Sequence, residues 1–417
     1  MPIGESVVNS VLFKSWLQQN GGGFHPHAHF TEAPSGSCII ANENIPSDAT
    51  IVTCPFELAI TEELAQKSLL NFMDLNDVIT TKCWTERQWI SLYLCFHWIV
   101  GESSDTFSPE SYLPYHAYLN TLPPREKLRT PLHFTLAEME MFKGTNLYGA
   151  TLDRERQWRV EWNLCHTMVE RANSDWGSRF TWELYLTAAT YISSRAFPSS
   201  LLSRIPTLQS SPSTHPILLP GIDSLNHARG QPVSWVVSYP DEANTNISKE
   251  VPSISLVLHT PAVPGQELLN NYGAKPNSEL ILGYGFSLPN NPDDTIILKI
   301  GGIEGKKWEV GRSARGVEGL WDEIVYSIQQ DPTSSPNYDD RLDAAGALED
   351  MSQALLDRLP TDNIKDAGAR PDVASMWQNY VEGQRAILSS VVEFAREQER
   401  LAVEDARADG IEIVVEG

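Results

Sequence analysis

The sequence is short of cysteine, of positive charge and of long apolar runs, and each shortage removes a class of protein. Its five cysteines, Cys38, Cys54, Cys83, Cys95 and Cys165, are an odd number with no C-x-x-C spacing. Such a set supplies neither a zinc ribbon nor a disulfide framework, and buried reduced thiols are the expected state. No stretch approaches the roughly 18 unbroken apolar residues of a membrane span, so no membrane partner is expected. Lysine and arginine number 31 against 54 aspartates and glutamates, a formal charge of −23. A nucleic-acid backbone would be repelled by that balance, whereas a basic protein or peptide would be attracted. Also missing are a G-x-S-x-G elbow, a Walker A loop and the clustered glycines of a dinucleotide fingerprint.

What is present describes a globular chain. Its 417 residues, 41% of them hydrophobic, can bury sizeable cores and suggest two or three domains. The opening "MPIGESVVNSVLFKSWLQQN" lacks a basic leader, and Asn9 and Lys14 interrupt its apolar run. It reads as a short amphipathic helix, with a cytoplasmic or nuclear setting expected. Between Tyr338 and Gly417 stand 18 acidic and 8 basic side chains, a pattern that a solvated helical surface explains.

Along the chain, β-branched segments such as "SCIIANENIPSDATIVTCPF" give way after Glu62 to helical periods. "TERQWISLYLCFHWIV" is apolar on most sides and predicts a buried helix, while Thr135 and Glu138 have capping-box spacing. A Ser/Pro-rich stretch, "PSSLLSRIPTLQSSPSTHP", reads as a loop. Strand texture returns in "PVSWVVSYP", "SISLVLHT", "QELLNN" and "TIILKI", after which helical periodicity dominates. The expected fold class is α+β: a β-rich core split by a helical insertion and followed by a helical C-terminal domain. The boundaries drawn are 20–80 and 211–292 for the two parts of the core, 81–210 for the insertion and 293–417 for the last domain.

Three alternating histidines, His25, His27 and His29, would share one face of a strand and could bind zinc or copper. Pro26 disfavours a regular strand there and no carboxylate stands by to orient the rings, so no metal is expected. More informative is "LPGIDSLNHARGQPVSW", which crowds Asp223, Asn226 and His227 into five positions. It is matched downstream by two Tyr-Gly pairs, Tyr272-Gly273 and Tyr284-Gly285, around a helix expected to start near Asn277. Buried tyrosines need hydrogen-bond partners, and a following glycine lets backbone or ligand approach closely.

In order and spacing, "SGSCIIANENI", "SSRAF", "LLPGIDSLNH", "GQELLNNYG" and "NSELILGYGF" resemble the SET-domain protein methyltransferases. The branch is that of Rubisco large-subunit lysine methyltransferase and the yeast ribosomal lysine methyltransferases, and the resemblance spans most of the chain. It implies a SET domain with a pseudoknot-like crossing, an inserted helical region and a helical substrate-binding domain. It also implies S-adenosyl-L-methionine as cofactor, with Ser35, Gly36 and Ser37 lining it through their main chain. Asn226 and His227 would hold it, and Arg195 would meet its carboxylate. By the same resemblance Asp223 is a substrate-side or structural acid, Tyr272 the catalytic phenol nearest the methyl, and Tyr284 another wall of the lysine channel. The sequence departs from the family at Ser35-Gly36-Ser37-Cys38, where a glycine is usual at both ends of a three-residue motif.

The intact Tyr284-Gly285-Phe286 favours lysine over the histidine of the actin-methylating branch, and the absence of cysteine after Cys165 excludes the zinc-binding module that follows many histone-methylating SET domains. A monomer acting on a basic, non-histone protein, a ribosomal protein first, is the expectation. A SET-like binding scaffold, or an enzyme acting on histone, cytochrome c or a histidine, is the alternative.

Overall fold

The computed structural model describes residues 3–33, 36–73, 84–101, 112–209, 211–240, 251–301, 305–329, 335–360 and 368–411, which form two compact units. The first comprises residues 1–128 and 155–273, and the second 129–154 and 274–417.

The first unit begins with α1 (Ile3–Gln19) and the strands β1 (Gly23–Phe24), β2 (Ala28–Ala33), β3 (Gly36–Ala41) and β4 (Ala49–Pro55). Helices α2 (Glu62–Met73), α3 (Glu86–Gly101) and α4 (His116–Leu119) follow. After α5 (Leu136–Glu140), which belongs to the second unit, α6 (Asn146–Ala172) starts in the second unit and continues into the first. Then come α7 (Ser174–Arg179), α8 (Trp182–Arg195), the short pair β5 (Phe197–Pro198) and β6 (Pro216–Ile217), and strands β7 (Val233–Ser238) and β8 (Ser253–Leu258). Strands β1, β4, β8 and β7 form, in that order, an antiparallel sheet, while β2 and β3 form a hairpin.

Alternation explains the sheet's placement: Ile254, Leu256 and Leu258 of β8 are buried and their neighbours partly open. They join Ile39, Ile51, Val52 and Cys54 in one core. Helix α3 is buried on nearly every side from Gln88 to His97, as its composition predicts. Helix α1 is less one-sided than expected. Phe13 and Leu17 are fully buried, yet Val7, Val8, Val11 and Leu12 are each about half exposed. The segment expected as the strand "QELLNN" is no strand, and instead makes isolated bridges to two different partners.

The second unit contains α9 (Asn277–Glu279), which runs into one π-helical turn over Leu280–Tyr284, the hairpin β9 (Thr295–Ile300) and β10 (Lys306–Gly311), and helices α10 (Glu318–Ile328), α11 (Tyr338–Arg358) and α12 (Pro371–Ala408). β10 was not expected, because its sequence, KKWEVG, alternates weakly. Proline at the first position of α12 is pre-set for helix initiation. Apolar residues at three- and four-residue steps, from Val373 and Met376 to Val391 and Ala395, seat the helix on the unit's cores. The expected capping box is in place: the Thr135 hydroxyl accepts from the Glu138 N–H and Glu138 accepts from the Thr135 N–H.

Glu138 also receives Arg370, through its main-chain N–H at 2.9 Å and its guanidinium at 2.8 and 2.7 Å. Burial pushes this carboxyl up, but the Arg370 and Thr135 donors outweigh it and hold the group down to about 2, below its ordinary 4.5. Its stabilising contribution is therefore complete above pH 4.5 and disappears as pH falls from there towards 2. Glu138→Gln is expected to remove on the order of 3 kcal/mol at pH 7 and to flatten that part of the acid limb, measured by urea unfolding between pH 7 and 3.

Candidate functional site

In "LPGIDSLNH" the apolar residues Leu219, Ile222 and Leu225, spaced by three, are all fully buried in the core of the first unit. They anchor a single 3-10 turn, Ile222–Ser224, and leave Asp223, Asn226 and His227 to be placed between and after them. The second motif is held in two steps. Ala41 N–H donates to the Gln266 carbonyl and Leu268 N–H to that of Ile39, tying the segment antiparallel to β3. Two residues further on, Asn270 N–H donates to Asn226 O at 2.7 Å and Ala228 N–H to Asn270 O at 2.9 Å, a parallel bridge. The chain from 266 to 272 therefore crosses from β3 to the Asn-His segment.

This crossing assembles a polar centre. The Asn226 side-chain amide donates to Glu267 Oε1 at 2.8 Å and to the Ser37 carbonyl at 3.3 Å. His227 and Tyr272 rings stack with centroids 5.0 Å apart, and Tyr272 N–H donates to His227 Nδ1 at 3.0 Å, which leaves the ring proton on Nε2. The Tyr272 hydroxyl donates to the Leu225 carbonyl at 2.8 Å. Its hydrogen is thereby fixed, and the oxygen retains lone pairs that can accept. Gly273, next along, has φ +92°, and a Cβ there would meet nothing within 4 Å. Asn270 is completely buried, and its amide nitrogen finds no acceptor among the described residues.

Beside this lies a buried ion pair. Asp223 keeps 2% of its side-chain surface exposed, and Arg195, the last residue of α8, keeps 23%. Arg195 Nη1 donates to the Asp223 main-chain carbonyl at 2.9 Å and to Oδ2 at 3.3 Å. The Tyr118 hydroxyl donates to the same Oδ2 at 2.7 Å, and Gly221 N–H to Oδ1 at 3.2 Å. Burial pushes the Asp223 carboxyl upward against the pull of Arg195 and Tyr118. Burial, with Asp223 alongside, also keeps the Tyr118 phenol well above its ordinary value, so it stays a donor.

Of the residues expected from the sequence, Ser37, Asn226, His227 and Tyr272 meet in this centre, with Asp223 and Arg195 in the adjoining pair. Gly36 opens β3 at φ +114° opposite Ala33, and Ser35 lies outside the described residues. Tyr284 belongs to the second unit, where Lys275 lies over its ring at 5.6 Å and burial pushes its phenol up. There Gly285 has φ +80°, and a Cβ would come 2.7 Å from the Arg129 carbonyl carbon, so glycine is required on both counts. His25 and His27 rings are 5.4 Å apart and, contrary to the sequence expectation, a carboxylate does stand by, Glu43 lying 3.7 Å from His27 Nδ1 across the turn after β3. Among the described residues neither they nor His29 joins a group of three close metal-ligating atoms. Among the described residues the one such group is Glu62, Glu86 and His215. Cys38, Cys54, Cys95 and Cys165 are free and buried, while Cys83 lies outside the described residues.

Sequence reading missed Tyr118, Glu267 and Asn270. The double asparagine before Tyr272 was a visible signal for the last. Tyr118 carried none, since 105 residues separate it from Asp223.

No family model matches the chain. Over 292 residues, 68% of its length, it is 34% identical to ribosomal lysine N-methyltransferase set10 of Schizosaccharomyces pombe, and that match spans 46% of the relative. It is 23% identical over 290 residues to the human actin-histidine N-methyltransferase, covering 69% of this chain and 43% of that one. The chain thus spans about half the length of these relatives. Among solved structures, the SET domain of LSMT bound to lysine and AdoHcy superposes with a TM-score of 0.71 at 16% identity, covering 97% of this chain and 94% of that one.

The ion pair sets a stability test. Asp223→Ala would strand a buried hydroxyl and a guanidinium, and is expected to cost about 3–5 kcal/mol by urea unfolding. Asp48→Asn, which removes the charge of an exposed 2.7 Å pair with His259 and keeps a residue type that tolerates the φ of +62° there, is expected to leave the unfolding midpoint close to that of wild type.

Proposed function

We propose that this chain, which has the SET-domain fold, is an S-adenosylmethionine-dependent protein-lysine N-methyltransferase acting on a basic, non-histone protein, with a ribosomal protein as the first candidate. The observation that carries this reading is the crossing at Asn226 and Asn270, which sets the Tyr272 phenol against the Leu225 carbonyl beside His227. Similarity to a ribosomal lysine N-methyltransferase supports the chemistry, and the charge of −23 suits a basic substrate.

The residues fit the cofactor. The buried Asn270 amide nitrogen, without an acceptor among the described residues, could donate to a polar ligand. The contacts described for Arg195 all fall on Nη1, which leaves Nη2 and Nε of a partly exposed fork for a carboxylate. Open space at Gly273 allows close approach. Bound there, S-adenosylmethionine supplies a sulfonium methyl that is already electrophilic.

The protein's own work is then placement. Arg195 would hold the amino-acid end of the cofactor, while Asn226 braces the main chain at Ser37 and, with His227, would wall the site beside it. The Tyr272 oxygen, its proton tied to Leu225, offers lone pairs for weak C–H···O contacts with a methyl of growing positive character. A substrate ammonium has no lone pair. Desolvation against aromatic rings near a cationic centre lowers its pKa and assists loss of the proton to water, so no dedicated base is required. Holding the amine in line and excluding water contributes most of the acceleration.

Similarity to an actin-histidine N-methyltransferase makes histidine the second reading. Both are tested by transfer of labelled methyl from S-adenosylmethionine to a ribosomal-protein fraction, with mass spectrometry of the labelled band. Label on lysine is expected. Label on histidine selects the second reading, and cofactor binding without transfer to this fraction, whole extract or histones would show a scaffold. Tyr272→Phe is expected to lower kcat by roughly 10- to 1000-fold with little change in cofactor affinity, and Asn226→Ala to weaken cofactor binding by calorimetry.

A further inference from the structure

We propose that Tyr118 is a positioning residue that aims Arg195 at the cofactor's carboxylate by clamping Asp223; this rests on the cofactor reading given above. Tyr118 is fully buried on α4, within the helical segment between the two parts of the β-rich core. Its hydroxyl makes the shortest bond to Asp223, 2.7 Å to Oδ2, whereas Arg195 reaches that oxygen at 3.3 Å. Gly221 N–H holds the other oxygen at 3.2 Å. The carboxylate plane is thus set from the two sides that do not move with the arginine: a phenol packed at 5.8 Å against the buried Phe13 ring, and the backbone of the motif itself. Arg195 then meets an acid whose orientation is already fixed.

Without the Tyr118 hydroxyl, Oδ2 would retain only the long contact to Arg195. The acid could then rotate towards the guanidinium, converting 3.3 Å into a closer, bidentate pair that occupies the donors left for a ligand. The expected loss is therefore in recognition of a carboxylate, beyond the loss of one buried hydrogen bond.

The test measures binding by calorimetry, with no turnover needed. Tyr118→Phe is expected to bind S-adenosylhomocysteine about five- to tenfold more weakly than wild type, yet to bind 5′-methylthioadenosine, which lacks the amino-acid end, unchanged. With Arg195→Met in the background, the Tyr118→Phe effect on S-adenosylhomocysteine should vanish. Tyr185→Phe, which removes another buried phenol bonded at 2.9 Å to a carboxylate, Glu161, serves as the control for mere loss of stability. Equal affinity of Tyr118→Phe and wild type for S-adenosylhomocysteine would overturn the proposal, as would parallel weakening of both ligands or additivity with Arg195→Met. If wild type binds neither ligand, the cofactor reading itself fails.

Discussion

The site depends on a pairing of only two hydrogen bonds, Asn270 N–H to Asn226 O and Ala228 N–H to Asn270 O. Side chains alternate along extended backbone, so a slip of one residue in this parallel bridge would turn Tyr272 away from His227 and Leu225. The protein guards the register on both flanks. Leu225 and Leu268 are sunk in the same core, and the Tyr272 amide and hydroxyl make separate bonds to His227 and Leu225. Glu267, reached by the Asn226 amide, adds a polar check on the register that apolar packing by itself would not provide.

Around that crossing the interior carries buried polar groups. Asn270 and Asp223 both lie inside, and burying an unmatched amide costs about 1–3 kcal/mol. Asp223 is offset by three donors, whereas Asn270 keeps a donor without an acceptor among the described residues. In the second unit, four donors converge on the Glu138 carboxylate, three of them from Arg370.

Elements with strong local patterning were legible in the sequence. The all-round apolar α3, the Thr135 capping box, the alternating β7 and β8 and the start of a helix at Asn277 follow from spacing and turn chemistry alone. Where backbone partners come from afar, the reading failed. "QELLNN" has strand composition but divides its bonds between β3 and the Asn-His segment, and β10 alternates too weakly to be seen. Asn226, His227 and Tyr272 were singled out because polar crowding beside buried leucines is unusual and because their order resembled a family, and the structure brings the three together. Tyr118 could not be found, because a tyrosine in a helical stretch is ordinarily core and only coordinates reveal the acid it touches.

The long reach of these contacts has a kinetic side. Asn226 meets Ser37 across 189 residues, Thr53 meets Ser255 across 202, and β4 finds β8 only after helices α2 to α8 have been made. Closing such loops is entropically slow, and chains dominated by distant pairings fold slowly. During synthesis, β1 to β4 must therefore wait with an unpaired edge until residues 253–258 have left the ribosome, while the helices between them can form as they emerge. The crossing closes later still, so the polar centre is among the last parts of the first unit to take shape and can exist only in a chain synthesised through residue 272.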